Sequence, residues 1–184
     1  MSNIFKIENG HKIFKDFAWL MEARGPVKKK CFTYREHLTR IEITIKKNTV
    51  IFAATDGRRL HTFEEDFKEL KNIPGFGPGV YSIDKAGQTY YLTIDKDTKY
   101  PTWRQVIPKG EPEKIINEFI NKGTWSDLSS SYYKICTQLE ACLNLNYVKS
   151  LVGLTWTIKH FGGLRPIVFE ALKRTAVLMP MKIY

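Results

Sequence analysis

The chain has 184 residues, of which 43% are hydrophobic and 26% are charged, which is typical of one domain, or of two small ones, with a buried core. The formal net charge is +10 and the isoelectric point is about 9.5. A balance this basic favours a polyanionic partner, of which nucleic acid is the commonest, although the same excess also keeps a small protein in solution.

Three cysteines, Cys31, Cys136 and Cys142, are too few and too scattered for a disulfide framework or a zinc site, since no C-x-x-C spacing occurs. We expect them to act as small core residues in a reducing compartment. The N-terminus lacks the apolar core of a signal peptide, and no apolar run approaches the roughly 18 residues of a membrane span. These features predict a cytoplasmic protein with no membrane partner, and no metal or cofactor is predicted.

Hydrophobic periodicity predicts a strand, a helix and three strands in the first 65 residues. Ile13, Phe17 and Leu20 fall on one face of a helix that Gly25-Pro26 ends. The predicted ranges are a strand at 3–8, a helix at 11–24 and strands at 41–46, 49–54 and 58–64. The run Lys28-Lys29-Lys30 is either a solvated loop or an anion contact.

The middle of the chain predicts a connector and a hairpin. Residues 66–79 are too rich in Gly and Pro for a regular element, and they lack the spacing of a phosphate-binding loop. Residues 80–84 and 89–95 predict the hairpin, and residues 100–108 form an extended segment bounded by prolines.

The last third of the chain predicts a second unit of the same plan. A helix is predicted at 111–122, a polar loop at 124–131, and residues 132–140 fit either helix or strand. A short strand at 142–145, a helix capped by Asn146, and strands at 155–161, 166–171 and 175–183 follow. The sequence thus predicts an α+β fold of two β-α-β-β-β units, with antiparallel sheets and helices on one face. We expect a first part at 1–109 and a second part at 110–184, or one compact domain.

Asp56-Gly57 lies between two strand-like runs, which is a strong hairpin signal because Gly tolerates positive φ and Asp bonds its own backbone. On local chemistry alone this is a tight turn. The segment around this turn, Thr55-Asp56-Gly57-Arg58-Arg59-Leu60, resembles the A-T-D-G-H-R-L segment in the middle domain of the bacterial sliding clamp, the β subunit of DNA polymerase III. Arg58 stands in place of the family's histidine.

Two further segments resemble the same family, in the same order along the chain. Residues 100–109, Y-P-T-W-R-Q-V-I-P-K, resemble the F-P-D-Y-R-R-V-I-P-K run that closes the clamp's middle domain. Residues 143–148 and 176–183 resemble the second half of the clamp's last domain, including its terminal M-P-M-basic-aliphatic motif. The resemblance implies a shortened clamp chain that lacks the first of three domains.

In clamps, the three retained segments form the pocket that captures partner peptides of the Gln-Leu-aliphatic-Leu-Phe kind. The resemblance therefore implies a peptide-binding pocket, in which methionines would adapt to varied side chains and arginines would bond peptide carbonyls. Its residues would be Thr55, Gly57, Arg58, Arg59, Leu60, Pro101, Val106, Met179, Pro180 and Met181. The alternative for the two methionines is ordinary strand core.

Clamps also encircle duplex DNA, so the resemblance implies sequence-independent contacts between basic side chains and phosphates. The candidates are Lys12, Lys15, Arg24, Lys28, Lys29, Lys30 and Lys149. One chain of this length cannot surround a duplex, so several copies would have to close a ring by head-to-tail contacts.

No catalytic constellation is present in the sequence, and the four histidines are expected to lie at the surface or in turns; we therefore predict a protein that is not an enzyme. The first hypothesis is a sliding-clamp-like replication accessory that binds double-stranded DNA, DNA polymerase or other clamp-binding proteins, and further copies of itself. The second is a monomeric decoy or adaptor that binds replication proteins without encircling DNA. The third is a general nucleic-acid-binding protein in which the clamp motifs are relics.

Overall fold

A computed structural model describes residues 4–25, 35–121 and 123–181. The chain divides into two compact units, Met1–Pro101 and Thr102–Tyr184. Each unit consists of antiparallel strands with a helix packed against them, which confirms the predicted α+β class. Among the helices in these ranges, none is both long enough and apolar enough to cross a membrane.

The first unit follows the predicted order of a strand, a helix, three strands and a hairpin. Its elements are β1 (Ile4–Glu8), α1 (Phe14–Met21), β2 (Ile41–Lys46), β3 (Thr49–Thr55), β4 (Arg59–Asp66), β5 (Gly79–Ala86) and β6 (Thr89–Ile94). In the sheet their order is β1-β6-β5-β2-β3-β4. The β5–β6 hairpin therefore lies between β1 and β2, pairing Phe5 with Leu92 on one side and Ile41 with Tyr81 on the other.

Aromatic rings fill the core of the first unit. Phe52 and Phe63 stack with their ring centroids 4.5 Å apart, and Phe17 of α1 meets Phe52 edge-on at 6.3 Å. Phe5 of β1 packs edge-on against Tyr81 at 5.2 Å. Edge-to-face and offset contacts of this kind add to the stabilisation from area burial, so α1 and the strands are held by one ring cluster.

The glycine-rich connector after β4 packs against β1. Phe76 meets Phe5 edge-on, with ring centroids 5.4 Å apart. Gly75 has a φ of 78°, and a Cβ there would lie 2.8 Å from the carbonyl oxygen of Ile4. Only glycine allows this approach of two backbones, so Gly75 lets the connector pack against β1.

The second unit also has a strand, a helix and three further strands. Its elements are β7 (Lys114–Phe119), α2 (Trp125–Leu139), α3 (Leu145–Val148), β8 (Thr155–His160), β9 (Ile167–Ala171) and β10 (Arg174–Leu178). The sheet order is β10-β9-β8-β7, and single 3-10 turns lie at Trp103–Val106 and Lys149–Leu151. Trp156 is fully buried, donates from Nε1 to the carbonyl of Leu151 at 2.6 Å, and meets Phe169 edge-on.

The helix predicted at 111–122 is wrong, because this segment contains strand β7. Its apolar residues fit a helical stripe, but β-branched Ile115 and Ile116 also suit a strand. In the structure all six residues of β7 pair with β8, from Lys114 opposite His160 to Phe119 opposite Thr155. The periodicity of a short apolar run fits both a helix and a strand, and pairing with the distant strand β8 makes this segment a strand.

The polar loop predicted at 124–131 is also wrong, since α2 begins there. Thr124 and Asp127 form a reciprocal capping box, in which each side chain accepts the other's backbone N–H. This T-x-x-D signal was present in the sequence but was hidden by the run of serines that follows it.

Three further expectations for the second unit are corrected. The short strand at 142–145 is absent, and the cap of α3 is Asn144, whose side chain accepts from the N–H of Asn146. The segment predicted as extended at 100–108 contains a 3-10 turn at Trp103–Val106. The last strand ends at Leu178, before the two methionines.

Two histidines expected at the surface are buried instead. His61 on β4 is fully buried, stacks on the ring of Trp19 with centroids 4.2 Å apart, and places Nδ1 3.1 Å from the carbonyl oxygen of Trp19. His160 on β8 is buried with Nε2 3.3 Å from the carbonyl oxygen of Gly163. Each ring finds a backbone acceptor, which removes the penalty of burying a polar group.

The ion pair between Arg40 and Asp95 predicts a pH-dependent stability for the first unit. Arg40 Nε lies 2.8 Å from Asp95 Oδ2, and the hydrogen bond from Arg40 lowers the pKa of Asp95 to about 2. Because this folded-state pKa lies below the ordinary value, the stabilisation is fully present above about pH 5 and is lost as the pH falls towards 2. We expect Asp95→Asn to lower the free energy of unfolding by about 1–2 kcal/mol at pH 7 and by roughly half as much at pH 3.

Urea denaturation of both proteins at the two pH values measures this difference. Asp97→Asn removes an exposed carboxylate from the same loop and serves as the control. A loss for Asp95→Asn that is the same at pH 7 and pH 3 would contradict the role of the ion pair.

Candidate functional site

The Asp-Gly turn after β3 is fixed by its own polar side chains. Thr55 Oγ1 donates to the carbonyl of Arg59 at 2.7 Å and accepts from the N–H of Gly57 at 3.0 Å. Asp56 Oδ1 accepts from the backbone N–H groups of Arg58 and Arg59 at 2.9 and 3.0 Å. With Gly57 at a φ of 87°, these bonds give one defined loop conformation between β3 and β4.

The two arginines of this turn have different environments. Arg59 Nε pairs with Asp56 Oδ2 at 3.0 Å, and its guanidinium also donates to the carbonyl of Glu22 beyond α1. Arg58 is exposed, whereas the side chain of Leu60 is buried in the core of the first unit. Arg58 and Gly57 are therefore the exposed members of this loop, whereas Asp56 and Arg59 are half-buried.

Pro101, the remaining predicted pocket residue of the first unit, is half-buried. It follows Tyr100, whose hydroxyl donates to the carbonyl of Ala53 on β3 at 3.3 Å. Burial is the main cause that raises the pKa of this phenol above its ordinary value, so Tyr100 stays neutral. Its hydrogen bond to β3 holds the backbone just before Pro101 in place.

The second unit contains an apolar cleft of about 450 Å³ beside the 3-10 turn at Trp103–Val106. Its apolar lining consists of Val106, Ile107, Pro108, Pro166 and Met179. Val106 and Met179 are 43% and 40% exposed, so both offer apolar surface to a ligand. A concave apolar surface with few polar groups is the usual form of a small-ligand or peptide site.

Arg165 holds the two walls of this cleft together. Its guanidinium donates to the carbonyl of Phe161 at 3.1 Å and to the carbonyl of Lys109 at 3.2 Å. It also lies over the ring of Phe161 at 5.3 Å. The loop after the 3-10 turn is thereby tied to the β8–β9 connection.

The segment after β10 lies outside the core, which excludes strand core as the role of its methionines. Met181 is 42% exposed, and its N–H donates to the carbonyl of Cys142 at 2.8 Å. Pro180 between the two methionines is half-buried. This backbone bond fixes the course of the segment while both methionine side chains remain accessible.

Of the ten residues predicted for a peptide pocket, six belong to the first unit and four to the second. Two of them, Val106 and Met179, line the same cleft, and their role in peptide binding stays a prediction. Arg165 and Pro166 also line this cleft, although the sequence placed Pro166 at the start of a predicted strand and gave Arg165 no role. No local pattern indicated that the side chain of Arg165 returns to the carbonyl of Lys109.

The basic residues predicted to contact DNA also differ in their surroundings. Lys12 is paired with Glu65 at 3.2 Å and Glu69 at 3.0 Å, and Arg24 donates to the carbonyl of Ile83 at 3.1 Å, so both charges are already engaged. Lys15 is exposed on α1. Lys149 Nζ lies 3.7 Å from the ring centroid of Trp125. Lys28, Lys29 and Lys30 lie outside the described residues.

The two cysteines in the described part of the chain are not paired in a disulfide. Cys136 and Cys142 are free thiols, and burial is the main cause that raises the pKa of Cys136; Cys31 lies outside the described residues. Within residues 4–25, 35–121 and 123–181, no group of three or more His, Cys, Asp or Glu could hold a metal ion.

The fold is that of the bacterial DNA sliding clamps. The chain is similar to the DNA polymerase sliding clamp of Pseudomonas aeruginosa with a TM-score of 0.64 at 12% identity, covering 100% of this chain and 67% of that one. It is also similar to the DNA polymerase III beta chain of Streptococcus pneumoniae, with a TM-score of 0.62 at 12% identity, covering 100% of this chain and 66% of that one. A third similar structure is the Helicobacter pylori beta clamp bound to a DNA ligase peptide, with a TM-score of 0.59 at 13% identity, covering 100% of this chain and 67% of that one.

The match therefore spans only about two thirds of each clamp chain. No protein-family model matches the sequence, and no curated protein matches it significantly. The structural likeness confirms the clamp fold that the three sequence motifs indicated.

The turn at Gly57 gives a direct test of the loop geometry. Gly57→Ala places a Cβ on a residue with positive φ, which we expect to lower the free energy of unfolding by about 1 kcal/mol. Gly57→Asn should cost less, because Asn tolerates the left-handed region. Urea denaturation of the three proteins checks the order; equal stability of wild type and Gly57→Ala would show that the turn does not need glycine.

Proposed function

We propose that this chain is a sliding-clamp-like accessory protein of DNA replication, which binds peptide motifs of polymerases or other clamp-binding proteins. The observation that supports this most is the cleft with exposed Val106 and Met179, formed by two of the three segments that resemble the clamp's peptide pocket. A DNA ligase peptide is bound to the similar H. pylori clamp, which is consistent with capture of an extended peptide. In the first unit, the exposed Arg58 and Gly57 are the residues of the Asp-Gly turn that we propose for polar contacts to a peptide.

The two exposed methionines suit a peptide with apolar side chains. A thioether adapts its shape to different partners, and truncating an apolar anchor in a cleft removes a large part of the binding energy. Arg165 stays bound to backbone carbonyls in this arrangement, so it shapes the cleft and leaves the recognition to Val106 and Met179.

A labelled peptide containing Gln-Leu-Val-Leu-Phe tests the cleft by fluorescence anisotropy. We expect binding by wild type and a loss of affinity of about tenfold for Met179→Ala, since the variant removes apolar contact area. Leu172→Ala is the matched control, because Leu172 is an apolar residue of the same unit that is 98% exposed on the β9–β10 turn. Absence of wild-type binding, or equal losses in the two variants, would contradict the proposal.

We also propose that several copies close a ring around duplex DNA, with exposed cations such as Lys15 facing the phosphates. The net charge of +10 supports this contact. Contacts to phosphates release counterions, so affinity for a duplex should fall steeply as salt rises. A plot of log affinity against log salt with no slope would exclude them.

Mass measurement in solution at low salt separates the ring from the alternative. A closed oligomer is the expected result. A strict monomer at high protein concentration would exclude encirclement and leave a clamp-like adaptor or decoy that binds replication proteins through the cleft.

A further inference from the structure

One tryptophan in the second unit is exposed, unlike the other three in the chain. Trp19, Trp103 and Trp156 are 6%, 5% and 0% exposed, whereas Trp125 is 64% exposed. It stands on the first turn of α2, and it contributes no ring to the core. A large aromatic surface left in solvent is a common feature of binding sites.

A lysine and a small cleft accompany this ring. Lys149 Nζ lies 3.7 Å from the centroid of the Trp125 ring, and a cleft of about 220 Å³ opens between the start of α2 and the 3-10 turn that carries Lys149. Leu128 and Val152 give the cleft apolar walls, and Asn121 and Thr124 add hydrogen-bonding groups. Among the described residues, no acidic side chain lines this cleft.

The nearby carboxylate of Asp127 is committed to the helix cap. Its Oδ2 accepts from Thr124 N–H at 2.7 Å and from Thr124 Oγ1 at 2.9 Å. The first turn of α2 is thus capped by the protein itself, so the helix terminus offers no anion site. Recognition at this place has to come from the ring of Trp125 and the charge of Lys149.

The solvent face of α2 carries hydroxyls, amides and rings but few charges. Between residues 125 and 139 the charged side chains are those of Asp127, in the cap, and Lys134, which pairs with Glu118 at 2.5 Å. Besides Trp125 and Lys134, the exposed residues are Ser126, Ser130, Tyr133, Thr137 and Gln138. Hydroxyl and amide groups of this kind bond phosphate oxygens, and the face has no free carboxylate to repel them.

We propose that Trp125 and Lys149 form a binding site for single-stranded nucleic acid, in which an unpaired base stacks on the indole and Lys149 moves from the ring to the adjacent phosphate. Aromatic stacking beside a cation is the sequence-tolerant way in which proteins bind single strands. A duplex cannot use this site, because its bases are already stacked. The site deepens the proposed DNA contact and rests on it, since the same surface charge attracts both forms.

An oligothymidylate of about 12 nucleotides provides the probe, together with a duplex of the same length. Because the other tryptophans are buried, stacking on Trp125 should quench the exposed part of the intrinsic emission with the single strand and leave it unchanged with the duplex. Anisotropy of the labelled oligonucleotides gives the affinities of the variants.

For the single strand, we expect Trp125→Ala to weaken binding by about five- to a hundredfold and Trp125→Phe to retain most of the affinity, because a phenyl ring still stacks. Both variants should bind the duplex within about twofold of wild type. Lys149→Ala should weaken single-strand binding more than Lys71→Ala, which removes one exposed lysine from the other unit. Circular dichroism checks that each variant is folded.

Equal binding of the single strand by wild type and Trp125→Ala, or equal quenching by both nucleic acids, would overturn the inference. If the duplex binds while the single strand does not, this inference fails and the proposed duplex contact stands. If neither nucleic acid binds at low salt, the inference and the proposed DNA contact both fail, whereas peptide capture in the Val106–Met179 cleft is tested separately.

Discussion

Strand β1 joins its sheet through the β5–β6 hairpin, and the architecture of the first unit depends on this pairing. In the second unit β7 pairs directly with β8, whereas in the first unit two strands are interposed at the equivalent place. Because an even number of antiparallel strands is inserted, β1 keeps its direction relative to β2. A helix can therefore connect the two strands in both units, α1 between β1 and β2 and α2 between β7 and β8. The β-α-β-β-β order is kept despite the inserted hairpin.

The sequence predicted those elements whose periodicity is unambiguous. Ile41, Ile43 and Ile45 alternate with polar residues over one strand length, and the structure has β2 there. The segment that became β7 has apolar residues at spacings that fit both a helix and a strand, and only its pairing with β8 decides between them. For α2 the capping box was readable in the sequence, but a serine-rich helix has low intrinsic propensity and depends on tertiary packing of Leu128, Ile135 and Leu139.

For the candidate site too, some residues were indicated by the sequence and others are visible only in the structure. The sequence motifs singled out Val106 and Met179 as candidate pocket residues; both line one cleft, and their binding role stays a prediction. Arg165 could not be found, because the carbonyl it binds lies 56 residues away in sequence and a backbone acceptor leaves no trace in residue identity. For Arg59 the sequence showed a charge but could not show that Asp56 and a distant carbonyl already bind it.

The hydrogen bonds made by Arg165 affect the entropy cost of binding a ligand in the cleft. Two carbonyls, those of Phe161 and Lys109, are held by one planar guanidinium, whose fork geometry loses little rotamer freedom for each hydrogen bond formed. The loop that carries Val106 is thus ordered before any partner arrives, and the conformational entropy of that loop has already been lost during folding. Binding energy at such a preorganised surface appears as affinity instead of being consumed in arranging the receptor.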